Sequence, residues 1–534
     1  MLLFHPINNF LMNIKISLVT IICFIFSLFV LESCRNDLQG NIRIINLQPK
    51  IEPDYADVTI PSNIAPLNFI IKESGNEYQV ILKSGLSDSQ ISLRSKDGVI
   101  QFPEKSWKKL IGESKGDKIT IQVLSSIGKD SINQYEPISI SVANDPIDPY
   151  LAYRLISPGY YSWSDIKIEQ RSLENFDKES VIENQIIEKN CVNCHSFNQN
   201  NPDQFLVHIR GSKGGTYFVD NDKITKTDLK TDKMTSGATY PYWHPGGRFV
   251  AFSSNQVRQS FYAHYSKSIE VYDQSSSLIV YDIQKNEIVG GPKDGSGESL
   301  QTFPTWSPDG KTLYYCEAHL KDSASQWEIN DIKKIHYNLV KKSFNETDVT
   351  FGKTETVVNA IEMQKSVSFP RISPDGKFLI FTLADYGTFP IWHKEADLYM
   401  LDLENQRLKK MELNSNETDS YHSWSSNSKW LVFSSKRLDG RSTRPFIAYI
   451  NSWDQIGKPF VLPQDNPAYY DNLLLSYNIP ELIKGKIKMT PRDFEAATKY
   501  TTIQAKSGKY ENDLPGKAKL PKNNQPEIPN SIHE

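Results

Sequence analysis

"FPTWSPDGKTLYYCE", residues 303–317, decides the fold. An aromatic pair of anchors, Phe303 and Trp306, leads into Ser307-Pro308-Asp309-Gly310, and alternating apolar residues follow. Pro and Asp favour a β-turn and Gly takes the position that needs positive φ, so the unit encodes a strand–turn–strand hairpin. Three further copies stand in the chain: "YPYWHPGGRFVAFSS" (240–254), "FPRISPDGKFLIFTL" (369–383) and "YHSWSSNSKWLVFSS" (421–435). Trp243, Trp306 and Trp424 hold equivalent places and are expected to fill the gap between adjacent sheets. Asp309 and Asp375 read as turn formers, neither acid–base catalysts nor calcium ligands.

Repeating hairpins of this kind build a β-propeller, in which sheets radiate from an axis and leave only short protected edges. Counted between Trp243, Trp306, Ile372 and Trp424, the spacings are 63, 66 and 52 residues. A four-stranded blade takes roughly 40–45 residues, so loops are inserted, notably over 255–273. The repeats resemble those of the TolB family, a branch of the WD-type propellers, over about residues 205–480. Six blades are expected, five being the alternative, with the segment before residue 205 helping to close the ring.

The remaining chain divides around that unit. Residues 51–145 carry five short alternating runs, among them "EYQVILKS" and "KITIQVLSS", and read as a small immunoglobulin-like β-sandwich. The fold class is therefore all-β: a sandwich followed by a propeller. Residues 35–50 read as a polar tether. Residues 146–204 read as a linker, with a short helix expected over 178–190. In 481–534, Thr490 and Pro491 have the chemistry of a helix start, and a Lys-, Pro- and Asn-rich tail is expected to be disordered.

The N-terminus gives an address. Lys15, the apolar run Ile16 to Leu31 and Cys34 have the layout of an export signal. "LESC" resembles the lipobox of bacterial lipoproteins, which implies a lipidated Cys34, although Glu32 stands where a small or apolar residue is usual. An uncleaved membrane anchor is the alternative, and either places the rest of the chain outside the cytoplasm. Arg35 lacks the Asp that retains lipoproteins at the inner membrane of enteric bacteria, which points to the outer membrane.

After removal of that segment only Cys191, Cys194 and Cys316 remain as unmodified thiols. Cys316 reads as a small buried residue of a strand. Cys191 and Cys194 sit in "EKNCVNCHSF" (188–197), followed at once by His195. Cys-x-x-Cys-His suits covalent haem c: two thiols add across the haem vinyl groups and the adjacent imidazole reaches the iron. A zinc site is an alternative but has no second Cys or His pair. A disulfide across so small a loop is the other, and it stabilises little. Candidate sixth ligands are His208, His244, His264 and Met234, each of which is equally readable as a structural residue. No nucleotide-binding signature is present.

The segment from about 150 to 450 resembles exported lipoproteins of the Bacteroidetes type that combine a cysteine–histidine motif with TolB-like repeats. The resemblance implies this domain layout and a cell-envelope location, with no reaction attached. With 39% hydrophobic and 23% charged residues, a net charge of −3 and a mean hydropathy of −0.47, the chain lacks the basic excess of a nucleic-acid binder and the apolarity of a polytopic membrane protein. Two functions follow as expectations. One is a lipid-anchored haem protein with a redox partner, acting in electron transfer or redox sensing. The other is an envelope scaffold whose propeller binds a protein or glycan, with the cysteine pair structural. A hydrolase of the prolyl-oligopeptidase type is set aside, because no Gly-x-Ser-x-Gly elbow or following α/β domain exists.

Overall fold

The computed structural model describes residues 38–508 apart from 129–130, 158–164, 233, 235, 262–268, 291–298 and 320–328. Cys34 and the export segment, His264, and the tail beyond residue 508 therefore lie outside the described residues. No helix among the described residues is long and apolar enough to cross a membrane.

Six sheets of four or five strands, antiparallel but for one parallel C-terminal edge strand in each of two, follow one another along the chain. Their innermost strands are Ser476–Ile483, Cys191–Phe197, Ala238–Trp243, Ser299–Trp306, Ser366–Ile372 and Asp419–Trp424. These six touch in that cyclic order, so the sheets are the blades of a closed six-bladed propeller, numbered 1 to 6 here. Blade 1 draws its outer strands, Tyr150–Ile156, Lys167–Ser172 and Lys178–Glu183, from before the repeats and its innermost strand from after them. Hydrogen bonds between the two ends of the propeller sequence thus shut the ring.

The expected boundaries move accordingly. Residues 146–204 are no linker: they supply three strands of blade 1 and the innermost strand of blade 2. The helix expected over 178–190 is a strand, Lys178–Glu183, and a single 3-10 turn, Asn184–Ile187. Val181, Ile182 and Ile187 are buried at a spacing no helical face provides, and β-branched residues favour the strand. The expected helix after Thr490 forms as Pro491–Ala497 with a capping box between Thr490 and Asp493. Beyond it the chain stays ordered. Ile503–Gln504 adds a fifth strand to blade 2, and Lys506–Ser507 adds one to blade 3.

The N-terminal unit is richer than a five-stranded sandwich. A seven-stranded sheet and a three-stranded sheet accompany a helix, Glu104–Glu113, which buries Trp107, Leu110 and Ile111. Residues 35–50 are not wholly a tether either, because Asn41–Ile45 pairs in parallel with Ser131–Tyr135 at the sheet edge. One hydrophobic core runs from this unit into blades 5, 6 and 1. Polar contacts lock the same seam: Asp148 accepts from the Ser426 amide at 2.7 Å and its hydroxyl at 2.6 Å, and Tyr449 Oη donates to Asp145 at 2.6 Å.

The repeated turn behaves as its chemistry requires. The Gly310 amide bonds the Ser307 carbonyl at 2.9 Å, and the Ser307 hydroxyl bonds Asp309 at 2.6 Å. Gly310 has φ +72°, and a Cβ there would stand 2.2 Å from His244 Nε2, so both backbone and space demand glycine. Trp243 Nε1 donates to the Ser196 carbonyl of the preceding blade at 3.0 Å, and Trp424 Nε1 to the Arg371 carbonyl at 3.3 Å. The tryptophans do join neighbouring blades.

Candidate functional site at the propeller axis

Each innermost strand slips register by a bulge about midway. On five of them the bulge holds a residue at positive φ: Tyr240 (50°), Phe303 (50°), Phe369 (51°), Tyr421 (42°) and Ile479 (48°). Such a backbone is costly for a bulky residue and persists where surrounding structure imposes it. The bulge turns these side chains onto the axis. Ring centroids of Tyr240 and Phe303 lie 4.5 Å apart, Phe303 and Phe369 5.7 Å, and Phe369 and Tyr421 5.0 Å. Ile479 packs against the same cluster. The sixth place, on blade 2, belongs to Cys194, the small member of an otherwise bulky plug.

This equivalence is a sequence signal that the repeat search missed. Cys194-His195-Ser196-Phe197 aligns with Tyr421-His422-Ser423-Trp424, so the Cys-x-x-Cys-His motif lies inside a further, degenerate copy of the propeller repeat. Cys191 is buried in the apolar cluster between blades 1 and 2, Cys194 is 4% exposed and His195 3%. The two thiols are free and not bonded to each other. Burial pushes the Cys191 thiol up, against the opposing pull of the Arg210 and Arg154 guanidiniums.

Neither ring nitrogen of His195 makes a hydrogen bond of good geometry, the Ile479 carbonyl offering only a loose one. Its Nε2 lies 3.5 Å from Glu481 Oε1 of blade 1. Burial first, and Arg154 second, hold its pKa down to about 3, with the nearby Ile479 carbonyl pulling back. Burial also pushes Glu481 up to about 8, against Arg371 and the Phe197 amide. Burial thus disfavours charge on both partners of this contact. Arg154 donates to the side chain of Asn193, one of the two residues between the cysteines.

The other candidates sit in their own surroundings. His208 Nδ1 is 3.2 Å from Thr216 Oγ1 on the neighbouring strand of blade 2. His244 Nε2 donates to the Gly310 carbonyl at 3.1 Å, and its Nδ1 accepts from the Gly246 amide at 3.2 Å. Met234 is 3% exposed in the core between blades 2 and 3. Among the described residues no three His, Cys, Asp or Glu side chains converge to hold a metal ion, which removes the support for a zinc centre.

The donor types suit a c-type haem: two free thiols and a loosely held imidazole on one axial strand. Room for the porphyrin is not open in this packing, because the axial plug closes on Cys194. Above it, a funnel of about 200 Å³ is walled by all six blades, through Phe197, Trp243, Trp306, Ile372, Ser426 and, beside blade 1, Lys484. That is below the ~300–1,000 Å³ of ordinary ligand pockets. Seating a porphyrin there requires the plug to part.

No family model matches the chain, and no curated protein matches it in sequence. Among solved structures it is similar to the Swd1 β-propeller domain of Myceliophteria thermophila, with 12% identity, 49% of this chain and 67% of that one covered, and a TM-score of 0.30. The Dos1 propeller gives 13% identity, 51% and 62% coverage, and 0.31. An oligogalacturonate lyase from Vibrio parahaemolyticus gives 12%, 55% and 83%, and 0.30. These likenesses concern the fold alone, and the sheet order already establishes that.

Proposed function

We propose that the chain is a cell-envelope β-propeller whose axial strand Cys191–Phe197 attaches a c-type haem, serving electron transfer or redox sensing. The observation that carries this reading is His195. Its buried ring makes no hydrogen bond of good geometry within the chain, with only loose approaches to the Ile479 carbonyl and to Glu481, and a poorly satisfied buried polar group costs up to about 1–3 kcal/mol unless something outside the chain satisfies it. Both thiols are free for covalent attachment, which requires Cys191 to leave the cluster between blades 1 and 2 and join Cys194 at one porphyrin. In this role Cys191 and Cys194 tether the group and His195 presents an uncharged nitrogen, with no proton to lose at neutral pH. Haem supplies one-electron chemistry when bound. Lipidation of Cys34 anchors the propeller to the membrane in this account. A pyridine haemochrome spectrum of protein made in a strain competent in cytochrome maturation tests it, and colourless protein removes it.

A second reading is favoured by a specific observation, the match of Cys194-His195 to Tyr421-His422. His422 is buried in the same way with no cysteine beside it, so the repeat alone can place a histidine there. On that reading the sealed axis and the shared core make the chain a rigid docking platform for an envelope protein or glycan. Substitution of both Cys191 and Cys194 by Ser then leaves partner capture intact.

A further inference from the structure

A polar cleft away from the axis lies between blades 2 and 3, beneath the C-terminal segment around Thr502 and Gln504. It measures about 720 Å³, within the range of small-molecule sites. One wall is the loop Gly211-Ser212-Lys213-Gly214-Gly215, and Lys226 stands beside it. Lys226 is 8% exposed, yet among the described residues no carboxylate pairs with it. Its ammonium has a 3.3 Å bond to the Thr498 carbonyl and lies 5.8 Å from the centre of the Tyr217 ring. A buried cation without a counter-charge is strongly disfavoured, and structures keep one where an anion completes it. Burial and the neighbouring Lys213 both pull the Lys226 pKa down, the mark of a cation that lacks its anion.

The backbone runs close to this lysine. Gly215 has φ +147°, which favours glycine, and a Cβ there would lie 3.3 Å from the Thr227 carbonyl and in van der Waals contact with the Lys226 stem. Arg210 and Lys230 add positive charge to the walls. Asp228 is the one carboxylate among the lining residues, and it already accepts the Lys230 amide at 2.9 Å. The remaining lining is rich in hydroxyl and amide groups such as Thr239 and Gln256, which suit a polyhydroxylated ring more than an apolar one.

We propose that this cleft binds an anionic sugar of one or two rings, with Lys226, Arg210 and Lys230 holding its carboxylate or phosphate. Such a ligand neutralises Lys226 and spends its hydroxyls on the neutral wall.

Titration calorimetry of the purified chain with glucose, glucuronic acid, glucose 6-phosphate and inorganic phosphate tests it. Binding of one or both sugar acids, with glucose silent at the same concentrations, is expected, and the acid that binds identifies the anionic group. Lys226→Met should weaken that binding at least tenfold, with circular dichroism reporting the fold. Lys230→Gln, at an exposed position, should weaken it several-fold without touching the core. Absence of binding by either acid overturns the proposal. So do equal binding of glucose, inorganic phosphate binding as tightly as the sugar acids, or both variants binding like the parent chain.

Discussion

His195 and His422 occupy the same place on two innermost strands, yet only His422 is anchored. Its Nε2 donates to the Ile380 carbonyl at 2.9 Å, whereas His195 has only loose approaches, to the Ile479 carbonyl and to Glu481 at 3.5 Å. Each imidazole has its pKa held at about 3, chiefly by burial, so each is neutral at physiological pH. The repeat explains why a histidine fits at this position. It does not explain why one of the two is held only loosely beside two free thiols.

That contrast sets opposite outcomes for one substitution. In haem-free protein, His195→Leu removes a poorly satisfied buried group and should leave stability unchanged or raise it by about 1 kcal/mol. His422→Leu strands the Ile380 carbonyl and should cost about 1–3 kcal/mol. Chemical denaturation of the two variants decides it, and equal losses would make the histidines interchangeable fillers.

The tryptophans that join the blades differ in the same instructive way. Trp243 Nε1 bonds the Ser196 carbonyl, but Trp306 Nε1 has no partner, and His244, standing where the sister repeats carry serine, packs edge-on against its indole at 5.1 Å. Trp243→Phe should therefore cost about 1–2 kcal/mol more than Trp306→Phe, whose indole nitrogen has no bond to lose. Denaturation midpoints of the pair check this.

How much of this was legible in the sequence follows from what each signal reports. The Pro-Asp-Gly turns and the Trp positions report local hairpin chemistry, and they gave the propeller with four of its blades, while six rather than five rested on the flanking segments. Blade 1 was hidden because its strands lie on both sides of the repeats, and pairing Tyr150–Ile156 with Ser476–Ile483 is a long-range event without local signature. The Cys194-His195 repeat match was obscured by Cys in place of an aromatic residue and Phe197 in place of Trp. The helix Glu104–Glu113 was masked by the alternating strands around it. Lys226 gave no signal, since nothing in "KITKTD" announces a buried ammonium.

Asp273 makes stability depend on pH. It is 1% exposed, and burial pushes its pKa up to about 7 despite bonds from Asn255 (2.9 Å) and Tyr337 (3.2 Å). An unfolded aspartate titrates near ~4, so between about pH 4 and 7 the native state alone holds the proton. The stabilisation is complete below pH 4 and is lost as pH rises through 7, at about 1.4 kcal/mol per unit. Asp273→Asn should abolish this fall. Stability of both proteins at pH 5 and pH 8 measures it, and parallel pH profiles would contradict it.

Ring closure rests on one strand. A chain ending before Ser476 lacks the innermost strand of blade 1 and exposes the edge of Tyr150–Ile156. It should lose cooperative thermal unfolding altogether, as an open propeller cannot bury that edge. A sharp transition near that of the full chain would show that the ring does not depend on its seam.

The most direct measurement is the intact mass of the peptide spanning residues 188–197 from protein produced alongside a working cytochrome-maturation system. Attachment predicts one haem added across Cys191 and Cys194, with a Soret band in the undigested protein that survives denaturation. Both thiols recovered unmodified, from colourless protein, would contradict it and leave the docking platform as the reading that stands.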